Sequence, residues 1–288
     1  MTQTPAPALS VTDLAVTFRT ERGDFPAVRG ISFSLDRSES LAILGESGSG
    51  KSATAHSVLG LIDLPNEVRG SIRFDGTELV GMGEKRLNEV RGRHLSMVFQ
   101  DSLDSLNPVF SIGSQLCELL RARAGLPRAA ARARAVELMS AVGIRDPQDR
   151  IDDYPHQFSG GMRQRICIAM AIALEPTVLI ADEPTTALDV TVQAEILKLL
   201  RRLQHERAMS LVFITHDLAV ARLVADSVMV MRHGVVVERG LIEDVFRNPQ
   251  HPYTQALLDA HPARANRWQD LRSVPLVGPD AHPGASST

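Results

Sequence analysis

The chain has 288 residues, 44% of them apolar and 23% charged, with a formal charge of −3. This is the balance of a globular protein with enough chain to bury a core, and it excludes wholesale disorder. No basic excess marks a generic nucleic-acid binder, and two cysteines, Cys117 and Cys167, are too few for a disulfide scaffold or a cysteine-rich zinc site.

Residues 1–8 read as a loose start, with neither the basic nor the apolar region of a signal peptide. The longest apolar run, Ile166 to Leu174, is far shorter than the roughly 20 residues a membrane span needs. If the protein works at a membrane, other chains must cross it. Next come three alternating stretches, Leu14 to Phe18, Ile31 to Leu35 and Ser71 to Phe74, which predict antiparallel strands. Four short, nearly continuous apolar runs have a different character: Leu41 to Leu44, Leu95 to Phe99, Val178 to Ala181 and Leu211 to Thr215. Such runs suit strands covered on both faces, as in a parallel sheet. They end at Gly45, Gln100, Asp182 and His216, and ligands of open α/β sheets bind beyond those carboxyl ends. Helices are predicted over Lys51 to Leu61, Met162 to Leu174 and Val190 to Gln204. Residues about 112–145 form an arginine-rich helical lobe, and the proline-rich stretch from 262 reads as a tail.

Gly45-Glu46-Ser47-Gly48-Ser49-Gly50-Lys51-Ser52 matches the phosphate-loop pattern G-x-x-x-x-G-K-[ST] and lies between a predicted strand and helix. Glycines let backbone N–H groups surround a phosphate, and the helix adds its positive end. Lys51 supplies a compact charge, and the Ser52 hydroxyl suits Mg²⁺. Asp182 and Glu183 close a buried strand as adjacent carboxylates. Asp182 is assigned to the metal shell and Glu183 to the general base. Gln100 can touch Mg²⁺ or orient water, and His216 can hydrogen-bond a γ-phosphate. Ser159-Gly160-Gly161 precedes a helix, so Ser159 reads either as an ordinary cap or as part of a second anion-binding helix start.

Taken in order, GESGSGKS, Gln100, Ser159-Gly160-Gly161, VLIADE, Ala187-Leu188-Asp189 and His216 resemble the ATP-binding cassette ATPases over roughly residues 9–259. The resemblance implies a P-loop α/β fold with a mostly parallel sheet, an N-terminal antiparallel β subdomain and a helical subdomain inserted at about 103–163. It further implies two ATP molecules held between two cassettes, with the Ser159 segment closing over the neighbour's nucleotide and Asp189 at that interface. Phe18 is similar to the aromatic that stacks on adenine, with Phe25 as its rival and a core role as the alternative. Phe99-Gln-Asp101, Ser105-Leu-Asn-Pro108, Tyr154-Pro-His-Gln-Phe158, Gly161-Met-Arg-Gln-Arg165, Glu183-Pro-Thr-Thr-Ala-Leu-Asp-Val190 and Asn248-Pro-Gln-His-Pro-Tyr-Thr-Gln-Ala-Leu257 resemble the dipeptide, oligopeptide and nickel importers. That likeness implies a heterodimer with a second cassette, two membrane-spanning permeases, an extracytoplasmic solute-binding protein and a position on the cytoplasmic face of the inner membrane. Peptide is the first expected cargo and nickel or another small solute the second. A soluble cassette ATPase is the rival class, and a P-loop kinase or GTPase would lack the Ser159-Gly-Gly segment. No cysteine follows Cys167, so no iron–sulfur cluster is expected, and residues 260–288 form the tail.

Overall fold

The computed structural model describes residues 6–63, 66–100, 105–186 and 188–259. In chain order, β1 (Leu9–Thr20) and β2 (Gly23–Leu35) form a hairpin, followed by β3 (Ser40–Leu44) and α1 (Lys51–Val58). Then come β4 (Glu67–Phe74), β5 (Thr77–Glu78), α2 (Glu84–Val90) and β6 (Leu95–Val98). The helical lobe holds α3 (Ile112–Ala124), α4 (Arg128–Ala141) and α5 (Pro147–Arg150), and α6 (Gly160–Ala171) leads out of it. The core resumes with β7 (Val178–Asp182), α7 (Val190–Glu206), β8 (Ser210–Thr215) and α8 (Leu218–Val224). It closes with β9 (Ser227–Arg232), β10 (Val235–Leu241), α9 (Ile242–Arg247) and α10 (Pro252–Asp259).

Two sheets result. One is antiparallel, ordered β2-β1-β4-β5; the other is ordered β10-β9-β3-β8-β7-β6 and is parallel except for its β10 edge. All four expected parallel strands are present and buried along their lengths, but the second stops at Val98 and leaves Phe99 exposed. Two strands of that sheet, β9 and β10, were not anticipated. The Ser-Val-Met-Val-Met run of β9 suits a buried helix as well as a strand, and β10 is a half-exposed edge with a register shift between Val236 and Glu238.

Helix bounds differ from the sequence expectation for local reasons. The first ends at Val58 rather than Leu61, because Gly60 turns the chain with φ +62°. The sixth starts at Gly160 rather than Met162, because Ser159 caps it, and it stops at Ala171.

Period-two alternation divides the core. On one face of the parallel sheet, Leu41, Ile43, Leu95, Met97, Val178, Ile180, Val212 and Ile214 pack with the antiparallel sheet and α1. On the other face, Val98, Leu179, Ala181, Leu211 and Phe213 pack with α3, α4, α6 and α7. At the β3–β9 end, Ala42, Leu44, Val228 and Val230 meet α8, α9 and α10. Both thiols fall in helices of the lobe side, Cys117 half-buried and Cys167 buried.

Candidate functional site

The carboxyl ends of β3, β7 and β8 are adjacent in the sheet, so the segments that follow them meet at one edge. After β3 the chain turns through Gly45, Gly48 and Gly50 into α1. Two of these glycines are sterically obligatory. A Cβ on Gly45 would lie 2.2 Å from the Met231 carbonyl oxygen, and one on Gly50 would lie 2.4 Å from that of Ala27, at φ +101°. The first helical bond of α1 runs from Thr54 N to Gly50 O. The N–H groups before it have no partner inside the helix and face an incoming anion.

Lys51 is only 4% exposed. Its ammonium donates to the Gly45 carbonyl at 2.8 Å and to the Glu46 carbonyl at 2.9 Å, and it lies 4.0 Å from Glu183 Oε1. Burial holds it below the ordinary lysine range, opposed by the charges of Glu183, Asp182 and Glu46.

Asp182 ends β7 at 2% exposure. Burial raises its pKa, opposed by a hydrogen bond from the Ser52 hydroxyl and by His56, while Glu183 adds to the rise. Its Oδ1 is buried without a hydrogen-bond partner. A hydroxyl and a carboxylate oxygen beside an unsatisfied buried oxygen form a hard-oxygen donor set, which fits Mg²⁺ completed by phosphate and water. No cluster of three or more His, Cys, Asp or Glu that could hold a metal occurs among the described residues.

Glu183 adopts a left-handed backbone (φ +43°), which is costly for a residue with a side chain and redirects the chain at once after the strand. The two carboxylates therefore diverge. That of Glu183 accepts from Thr186 Oγ1 at 3.0 Å and lies 3.3 Å from His216 Nδ1. The His216 ring is largely exposed, so the carboxylate–imidazole pair stands at the rim of the site.

The remaining expected residues fall elsewhere. Gln100 is exposed beyond β6, and among the described residues no hydrogen bond or ion pair ties it to the group above; Asp101 lies outside the described residues, as does Ala187. Phe99 stands beside α1, its ring 6.2 Å from that of His56. Phe18 and Phe25 are cross-strand partners in the first hairpin. Phe18 packs on the core there, and Phe25 is 52% exposed.

Ser159 caps α6 through Met162 N at 3.3 Å, and Asp189 caps α7 through Thr191 N and Val192 N. A Cβ on Gly161 would lie 2.5 Å from Val192 Cγ1, so the two helix starts touch and the second glycine is needed there. Among the described residues, no hydrogen bond links Ser159, Gly160 or Gly161 to residues 45–52 of the same chain.

Three contributors had no role assigned from the sequence, although Tyr253 stands in the Asn248–Leu257 stretch that carries the importer resemblance. Thr186 holds the Glu183 carboxylate, His56 bears on Asp182 from one turn beyond Ser52, and Tyr253 of α10 accepts from Glu46 N at 3.0 Å. Thr186 follows Glu183 by three residues and was findable as a local turn. Tyr253 is more than two hundred residues from its partner, and no local pattern signals it.

Comparison with known proteins follows the same outline. A family model described as ABC transporter matches residues 28–186, and one described as Oligopeptide/dipeptide transporter, C-terminal region, matches residues 237–285. The chain is 48% identical over 275 residues to the oligopeptide transport ATP-binding protein OppD of Bacillus subtilis, covering 94% of this chain and 77% of that protein. It is 47% identical over 272 residues to the dipeptide transport ATP-binding protein DppD of Escherichia coli, covering 94% and 83%. Among solved structures, the dimeric post-hydrolysis state of the cassette MJ0796 with ADP and Pi aligns with a TM-score of 0.72 at 25% identity, covering 81% of this chain and 98% of that one. The structure of cbiO1 from Clostridium perfringens, part of the complex cbiONQ, aligns with a TM-score of 0.71 at 29% identity, covering 93% and 100%.

Proposed function

The chain belongs to the ABC transporter family, and from this premise we propose that it is the ATP-hydrolysing subunit of an importer that takes up dipeptides and oligopeptides. One observation carries the reading. Lys51, Ser52, Asp182, Glu183 and His216 converge at the carboxyl ends of β3, β7 and β8, in a chain nearly half identical to peptide-transport ATPases.

In this reading the phosphate loop and α1 bind the triphosphate through backbone N–H groups, and Lys51 carries the charge of its outer phosphates. Ser52 and Asp182, with Gln100 assigned to the same shell, would hold Mg²⁺, which would supply charge neutralisation. Glu183 takes the proton from a water that attacks the γ-phosphorus. The bond to the bridging oxygen breaks, and ADP and phosphate are the products. Thr186 and His216 hold the Glu183 carboxylate toward that water. Ser159, Gly160, Gly161 and Asp189 serve the nucleotide of a second cassette, which explains why Ser159 has no bond to this chain's own loop. Phe18 or Phe25 stacks on adenine.

The cassette spans 9–259 with the helical subdomain at about 103–163, and 260–288 is the C-terminal tail, which lies outside the described residues. No helix among the described residues is long and apolar enough to cross a membrane. The pathway is assigned to two permease subunits, fed by a solute-binding protein, with a related second ATPase completing a heterodimer on the cytoplasmic face of the inner membrane. Deleting the chain from its source cell should abolish uptake of labelled di- and oligopeptides. Undiminished peptide uptake would refute the cargo, and loss of nickel uptake instead would assign the second one.

A further inference from the structure

The Gly45–Glu46 peptide is gripped at both ends. Its carbonyl oxygen accepts from Lys51 Nζ at 2.8 Å, and its N–H donates to the phenolic oxygen of Tyr253 at 3.0 Å. A trans peptide places these two groups on opposite edges of one plane, so any rotation that frees one edge displaces the other. Gly45 itself restrains the plane poorly, because the Met231 carbonyl leaves no room for a side chain there. Of the two side chains that hold the plane, Lys51 belongs to the loop and Tyr253 reaches it from outside.

Tyr253 is built to hold the plane. Its ring packs beside Ala42 and Leu44 and carries the Arg232 guanidinium 4.8 Å from its centroid. The start of α10 is fixed by Glu238 of β10, whose carboxylate accepts from Gln250 N at 2.7 Å and His251 N at 3.1 Å; His251 Nδ1 accepts from Tyr253 N. We propose that Tyr253 is a positioning residue of the phosphate loop, fixing through the Gly45–Glu46 peptide the carbonyl that holds Lys51. Docking of α10 on the sheet and nucleotide affinity are then linked. Loosening α10 weakens ATP binding, and bound ATP strengthens the docking of α10 reciprocally.

The inference rests on residues 45–52 being the ATP cradle, and the test separates the two. Calorimetric titration of the full-length chain with Mg·ATP gives the dissociation constant and the binding stoichiometry independently. Tyr253→Phe should raise the dissociation constant about three- to tenfold, the scale of one backbone hydrogen bond, at unchanged stoichiometry. It should also speed hydrogen exchange at the Glu46 amide. Glu238→Gln, which keeps the phenol but loosens its anchor, should move both readouts the same way by less. A purely structural role would lower the stoichiometry and leave the dissociation constant alone, and that result overturns the proposal. So does a Tyr253→Phe chain with wild-type affinity and wild-type Glu46 exchange. Absence of Mg·ATP binding by the wild-type chain would overturn the cradle assignment itself.

Discussion

In the proposed mechanism, replacing Glu183 by glutamine isolates the proton-accepting step from everything else the site does. The amide keeps the shape of a side chain that is only 14% exposed, and it can still accept from Thr186 Oγ1. What disappears is basicity and one negative charge. Loss of a positioned general base typically costs at least ~10²-fold in turnover, about 2.7 kcal/mol in the activation barrier. Binding should respond in the opposite sense. The carboxylate 4.0 Å from Lys51 now competes with phosphate for that ammonium and repels an incoming anion. Its removal therefore leaves Mg·ATP affinity equal to or tighter than wild type. It also removes one charge that opposes the burial-driven fall in the Lys51 pKa, so affinity in the variant should decline at a lower alkaline pH than in the wild type. Phosphate release under saturating nucleotide, with equilibrium nucleotide binding measured on the same preparation, reads both effects. Turnover within tenfold of wild type would remove Glu183 from the base role, and abolished binding would show that its main work is structural.

Two further predictions concern the scaffold. Burial pushes the Cys167 thiol up to about 12, so at pH 8 iodoacetamide should leave it unmodified in the native chain and label it after denaturation; native labelling at the rate of a free thiol would contradict its place in the core. Burial alone would raise the Asp226 pKa, but the Ser40 hydroxyl and the Arg201 guanidinium outweigh it and hold the carboxyl below its ordinary 3.8. The unfolded chain therefore takes up this proton first as pH falls. The contribution is full above the ordinary value and is lost as pH drops below 3.8 toward the folded value. Asp226→Asn should flatten the acid limb of a urea-midpoint-versus-pH curve, and an unchanged acid limb would refute the linkage.

What could be read from the sequence was whatever is encoded locally. The cradle at 45–52 declares itself because glycine spacing and one lysine are consecutive, and the four covered strands do so because burial on both faces forces unbroken apolar runs. The strand β9 shares that chemistry but is written with alternating valine and methionine, which satisfies a helix equally well, and β10 is an edge whose half-exposure dilutes the pattern. The separate tasks assigned to Asp182 and Glu183 were legible, but the left-handed turn at Glu183 that parts them was not. The Tyr253 contact with Glu46 was beyond reach, since it exists only after α10 docks on the sheet.

The alternation along β7 has a last consequence. Val178 and Ile180 face the antiparallel sheet, while Leu179 and Ala181 face the lobe. Asp182, opposite Ile214 in the ladder, continues the first set and so reaches Ser52. Inserting or deleting a single residue in this strand would exchange its two linings and, in the same stroke, turn the carboxylate proposed for the metal toward the wrong compartment. Folding error and chemical error are here one event, so a chain misthreaded at β7 has no route to a stable but inactive form.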